Sequence, residues 1–269
     1  MALYLFCFLG YLIFTASRNK TLGGLSTALL FIGLLIHSGG LVARWMETHR
    51  TGYGYVPLSN MYESLIFFSW TIVLVYLILE LKYRQRIIGV FVTPFAFLAI
   101  ALTSIIPAGI DAKITPLMPA LQSNWLTIHV TTCFFGYASF AVSFGVSILY
   151  LIRDRRSLAK EAGSKWLPST LILDEINYKS IVIGFPLLSL GIITGAAWAN
   201  YAWGSYWSWD PKETWSLITW FVYAAFLHAR FTRDWRGRKA AILSIAGFAA
   251  VLFTYFGVNY ILSGLHSYA

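Results

Sequence analysis

Trp125-Leu-Thr-Ile-His129-Val-Thr-Thr-Cys133-Phe-Phe-Gly-Tyr-Ala-Ser-Phe-Ala-Val-Ser-Phe-Gly-Val-Ser-Ile-Leu-Tyr-Leu-Ile152 runs for 28 residues without one Asp, Glu, Lys or Arg. A helix needs about 20 apolar residues to cross roughly 30 Å of hydrocarbon. This stretch is long enough, and its flank at Arg153, Arg155 and Arg156 is basic. Seven further apolar segments surround it, near 2–16, 22–45, 62–81, 87–106, 180–200, 215–231 and 240–262. Of the 269 residues, 58% are hydrophobic and 12% charged. Soluble domains carry about 25% charged residues, so a soluble enzyme and a disordered chain are both excluded. Unbroken apolar runs, rather than alternation, argue against a membrane β-barrel. The expected fold is all-α: a polytopic membrane helical bundle of about eight transmembrane helices, as a single integral membrane domain over 1–269.

Charge sets the sides. Of the 20 Lys and Arg, 16 fall in the odd-numbered connections, among them Arg18, Lys20, Lys82, Arg84, Arg86, Arg153, Arg230 and Arg238. The even connections hold only Arg44, Arg50, Lys113 and Lys212. Basic residues accumulate on the cytoplasmic side, so both termini are expected outside. The net charge of +9 is therefore an orientation signal, not a nucleic-acid footprint. The first apolar run lacks a basic leader and an A-x-A site and is expected as a retained span. The inward segment 153–179 reads as a solvated connector. Cys7 and Cys133 form no CxxC pair and lie within apolar segments, so small buried apolar residues are expected there.

The outward loop at about 198–215 is unusual. It reads Trp198-Ala-Asn-Tyr-Ala-Trp203-Gly-Ser-Tyr-Trp207-Ser-Trp209-Asp210-Pro-Lys-Glu-Thr-Trp215. An interfacial aromatic belt is one reading. The density of indoles, interrupted by Asp210-Pro211-Lys212-Glu213, fits equally a platform for a flat, apolar, partly charged ligand. Asp210 and Glu213 are placed to cap the seventh helix with Pro211 at its first position.

The histidines add to this. His129 opens the fifth span and His266 follows the last one, both on the face of the tryptophan loop. Two imidazoles across an aromatic shelf suit bis-axial ligation of a haem iron. His37 and His228 lie within spans, where ionisable residues are functional candidates. By 1.5 Å per residue, His37 is roughly 24 Å from the inner end of its span and His228 roughly 5 Å. Straight helices would not bring them level, and His228 has a rival interfacial reading. His49, beside Gly52, Gly54 and Pro57, reads as a solvated loop residue.

Trp203-Gly-Ser-Tyr-Trp-Ser-Trp-Asp-Pro-Lys-Glu-Thr-Trp215 resembles the WWD signature of haem-handling membrane proteins, most closely the CcsA (ResC) family of system II cytochrome c biogenesis. Leu41-Val-Ala-Arg-Trp45, Pro57-Leu-Ser-Asn-Met-Tyr-Glu-Ser64, Leu121-Gln-Ser-Asn-Trp125, Phe253-Thr-Tyr-Phe-Gly-Val-Asn259 and Gly264-Leu-His-Ser267 are similar to the same family. Tyr201 departs from plastid relatives, which often have an acidic residue there. The resemblance implies a subunit of a cytochrome c haem lyase. It implies that haem b is carried outward across the lipid bilayer and presented to the CxxCH segment of apocytochrome c, with a separate CcsB/ResB-like subunit. It implies His129 and His266 as the external iron-ligand pair and His37 and His228 as the membrane pair. Trp203, Trp207, Trp209, Asp210 and Trp215 are then the haem-binding platform, with Lys212 or Arg44 toward the propionates. The membrane expected is a bacterial inner membrane or a thylakoid, with the site on its periplasmic or lumenal side. Two alternatives are a system I haem handler related to CcmC or CcmF, and a small-solute transporter with an aromatic gate. No inverted repeat supports the latter.

Overall fold

A computed structural model describes residues 1–105, 112–158 and 166–262. The regular structure among those residues is helical, with no strand. The helices are α1 (Ala2–Ser17), α2 (Lys20–Arg50), α3 (Met61–Tyr83), α4 (Gly89–Ile105), α5 (Asn124–Leu158), α6 (Thr170–Trp203), α7 (Pro211–Arg233) and α8 (Arg238–Leu252). After α8 the chain widens into a π turn at Phe253–Gly257 and resumes as helix over Val258–Ile261.

Six of these segments are long and apolar enough to cross a membrane: Lys20–Arg50, Met61–Tyr83, Arg86–Ser104, Asn124–Ser157, Thr170–Trp203 and Arg238–Ile261. Helix α1 is apolar but has only 16 residues. Helix α7 has 23 residues, about 34 Å at the helical rise, but its ends carry Lys212, Glu213, Arg230 and Arg233. The 153–179 connector is far more helical than the apolar runs alone suggest. Helix α5 continues through Arg153, Asp154, Arg155 and Arg156, and α6 starts at Thr170. Solvated charges do not end a helix, and the two chains continue to support each other because α5 and α6 form the largest interface. The tryptophan-rich loop likewise shrinks to 204–210, α6 continuing to Trp203.

Caps mark the boundaries. Asn60 accepts from the Glu63 amide at 2.9 Å to start α3, and the Ser169 hydroxyl accepts from the Ile172 amide at 3.3 Å to start α6. Asp210 and Glu213 form the expected capping box on α7, with Pro211 in its first turn, satisfying amides that the first turn leaves open.

Glycines let α5 and α6 approach closely. A Cβ at Gly191 would lie 2.4 Å from Cys133 Sγ, and one at Gly195 2.6 Å from His129 Nδ1. This small-xxx-small stripe is the packing device of membrane helices. Buried hydroxyls then pin the bundle. Ser143 donates to Asn177 at 2.6 Å and lies 2.5 Å from the Ser244 hydroxyl, joining α5, α6 and α8. Ser64 and Tyr255 hydroxyls meet at 2.7 Å, joining α3 to the π turn. Both cysteines are buried free thiols, as expected.

Candidate functional site

His129 lies in the second turn of α5, where α5 crosses the Gly191-Ile-Ile-Thr-Gly195 stripe of α6. Its Nδ1 is 2.6 Å from the Gly191 carbonyl oxygen. A carbonyl can only accept, so Nδ1 carries the proton and donates. That tautomer leaves Nε2 as the basic nitrogen, the one suited to a metal. The Cys133 thiol is 3.7 Å from Nδ1, one turn along. The indole of Trp198 lies nearly parallel to the imidazole, 6.0 Å between centroids at 22°. Trp198 is buried and donates its Nε1 proton to the Ala120 carbonyl at 2.7 Å. Trp203 meets it edge-on at 5.0 Å.

His129 and Lys212 stand in the walls of two cavities. The larger, about 670 Å³, lies under segment 115–121, which ends in a 3-10 turn at Pro119–Leu121, and is lined also by Trp198, Trp203 and Val130. The smaller, about 100 Å³, is lined by Cys133, Tyr137, Trp207 and Tyr255. Only the first falls within the volume range of small-molecule sites, about 300–1,000 Å³. Lys212 donates its ammonium to Asn259 Oδ1 at 3.0 Å, just beyond the π turn. Removal from water pushes its pKa down to about 8, partly opposed by Asp210.

The remaining tryptophans do not form one shelf. Trp207 and Trp209 meet edge-to-face at 5.7 Å. Trp209 has a left-handed backbone, φ 61°, and is 69% exposed. Trp215 packs on Phe253 at 4.1 Å, joining α7 to the π turn. Asp210 is buried and spends its carboxylate on the α7 cap, accepting from the Lys212 amide at 3.0 Å. Arg44 does not reach toward an anion in this cavity. It pairs with buried Glu63 at 2.9 Å and donates to the Ala112 carbonyl at 3.0 Å, fixing α2 to α3.

His266 lies outside the described residues. His37 sits on α2 with Nδ1 3.0 Å from the Tyr4 hydroxyl, while its Nε2 is buried with no hydrogen-bond partner among the described residues. His228 is an exposed residue of α7. Helix α2 packs on α1 and α3, whereas α7 packs on α6 and α8. His37 lies 17 residues from the Lys20 end of α2, and His228 only five from the Arg233 end of α7. The bundle thus leaves these two at different depths on helices with different neighbours. Among the described residues no group of three or more His, Cys, Asp or Glu could hold a bare metal ion. A tetrapyrrole-bound iron needs only axial ligands from the protein.

Sequence reasoning passed over Trp198 and the glycine stripe as site residues. Gly191, Gly195 and Trp198 recur at intervals of four and three, which puts them on one helix face, and that spacing is the signal that could have found them.

Residues 58–266 match the family described as "Cytochrome C assembly protein". The "Cytochrome c biogenesis protein CcsA" of Gloeobacter violaceus is 40% identical, the alignment covering 93% of this chain and 88% of that one. That of Microcystis aeruginosa is also 40% identical, with 98% and 94% covered. The chain belongs to the CcsA family. The CcsA protein of Heterosigma akashiwo is 43% identical over 87% of this chain and 83% of its own. The cytochrome c assembly match encloses both cavities, His129 and Lys212, and starts after α2. His37 is reached only by the longer pairwise alignments.

Proposed function

We propose that this CcsA-family chain acts in cytochrome c biogenesis as the haem-handling subunit of a system II synthase, presenting haem b to apocytochrome c. One observation carries the reading: an imidazole with its tautomer fixed by the Gly191 carbonyl at 2.6 Å stands in the wall of a cavity of about 670 Å³. The cavity supplies what haem requires: an axial nitrogen, indole faces and a cation.

The tetrapyrrole lies under segment 115–121, with Trp198 and Trp203 beside it and His129 Nε2 toward iron. His266 supplies the opposite ligand; Asn259, seven residues earlier, touches Lys212. Two imidazoles fill the axial positions and keep oxygen and peroxide from iron. Lys212 neutralises a propionate through a charge-assisted hydrogen bond. Each thiol of the CxxCH segment adds across one vinyl group: an S–C bond forms, the π bond is lost, and the thiol proton ends on the other vinyl carbon. The chain supplies placement and exclusion of water for this step. His37, with its unpartnered Nε2, is the ligand on the way outward, and His228 the more peripheral one. The CcsB/ResB-like subunit is a separate chain covering part of the exposed helical surface. The full arrangement is eight spans with both termini outside, in a bacterial inner membrane or a thylakoid, the cavity facing the periplasm or lumen.

Cytochrome c maturation in cells tests this. His129→Ala and His266→Ala each abolish it, and added imidazole restores part by entering the vacated ligand position. Normal maturation by both variants would overturn the ligand assignment. His37→Ala lowers haem occupancy of the outer site while leaving maturation of any haem that reaches it.

A further inference from the structure

A third cavity opens at the opposite end of the bundle, on the face that the charge split assigns inward. It has a volume of about 660 Å³ and lies between α1, α2, the end of α3 and the segment after residue 165. Lys20, Arg84 and Arg86 line it, together with Phe14, Leu81 and Trp166. Trp166 packs on Phe14 at 5.4 Å and lies under the Arg18 guanidinium at 5.8 Å. Among the described residues, one carboxylate, Glu80, faces the cavity. It is buried, accepts from Tyr11 Oη at 2.6 Å and from the Thr27 hydroxyl, and lies 3.7 Å from Arg86. Three cations against one screened carboxylate leave the cavity positive. Orientation in the membrane needs charge in a loop, but it does not need a chamber.

We infer that this chamber binds the phosphate headgroup of an anionic phospholipid from the inner leaflet. Three observations select a lipid over other anions. Leu81 lines the chamber yet is 66% exposed, so its wall is open sideways toward acyl chains. Ile78, one turn along the same face of α3, is 56% exposed and continues that apolar track. Among the described residues no His, Cys or Met lines the chamber, so these offer haem iron none of the usual soft or imidazole ligands. Basic pockets between membrane helices on this side are the usual receptors for acidic headgroups.

The test uses purified protein in detergent, with phosphatidylglycerol, phosphatidylcholine or haem added, read by thermal unfolding and native mass spectrometry. Phosphatidylglycerol raises the melting temperature and remains bound; phosphatidylcholine does neither. The double variant Lys20→Gln, Arg84→Gln binds phosphatidylglycerol about 30-fold more weakly, at roughly a fivefold loss per cation. Arg233→Gln, an inward cation outside the chamber, binds as wild type. Equal retention of both lipids by the wild-type protein overturns the inference without recourse to any variant. So does a chamber variant that loses haem while keeping phosphatidylglycerol.

Discussion

At His129 the orientation of one ring depends on the absence of a side chain from its neighbour. A methyl group at Gly195 would sit 2.6 Å from Nδ1 and 2.8 Å from Cε1, well inside contact distance. Gly195→Ala therefore turns the imidazole away and breaks its bond to the Gly191 carbonyl. The expected result is a folded, membrane-inserted protein whose haem spectrum loses low-spin character, as in His129→Ala; an unchanged spectrum would show that the ring is held by something else. Trp198→Phe keeps the stacking face but loses the bond to Ala120 at 2.7 Å. It should cost about 1 kcal/mol of stability, measured by thermal unfolding, with little loss of maturation. The residues of this site were unevenly legible. His129 stood out because an ionisable group in an apolar run is rare. Trp198 did not, because in a loop of five tryptophans nothing in the sequence says which ring is buried against the histidine. Arg44 looked like a free outward cation, but Glu63 lies 19 positions along the chain, and only the fold brings the two together.

Helix α7 illustrates what an element contributes. Its first turn carries the cap, Asp210, and the cation, Lys212, and the two act in opposite ways. Asp210→Ala removes the acceptor for the Lys212 amide and costs about 1 kcal/mol of stability, visible as a lower melting temperature. Lys212 instead acts on binding in the proposed reading. Its pKa is pushed down to about 8 by burial, below the ordinary lysine range. As pH rises through 8 the ammonium loses its proton, and a carboxylate ligand then has no cation to meet. Haem affinity should therefore fall as pH rises above 8, as followed by titration. Lys212→Met should bind weakly at every pH with no such fall. The reverse profile, tightening with pH, would remove Lys212 from propionate recognition. The ends of α7 were readable from Asp-Pro-Lys-Glu, since the capping box is a local pattern. The lengths of α5 and α6 were not, because apolar runs mark the hydrocarbon and not the helix. Their charged extensions are held by mutual packing that no local pattern announces.

Across the whole molecule, two ends of the bundle carry polar chemistry, and apolar helical surface lies between them. Exposed Phe31, Ile32, Leu35 and Ile36 on α2 present that surface to lipid or to a membrane partner. The bundle is tied across it by a few buried polar pairs. In Arg44–Glu63, Glu63 is fully buried and the Arg44 side chain 16% exposed. Glu63→Ala leaves the guanidinium unpaired and should destabilise the fold by about 3–5 kcal/mol, seen as loss of purified protein or a large drop in melting temperature. Retention of wild-type stability would mean that the pair is dispensable. The general plan, a helical membrane bundle, was legible from the apolar runs alone. The two cavities were not, since each is enclosed by residues from at least three helices. The central claim, that His129 ligates haem iron in the outer cavity, is tested most directly by the optical spectrum of the reduced, haem-loaded protein beside its His129→Ala variant. Wild type is expected to show the sharp α and β bands of six-coordinate low-spin haem, and the variant to lose them and regain them with added imidazole. Identical low-spin spectra from both proteins, at equal haem content, would contradict it.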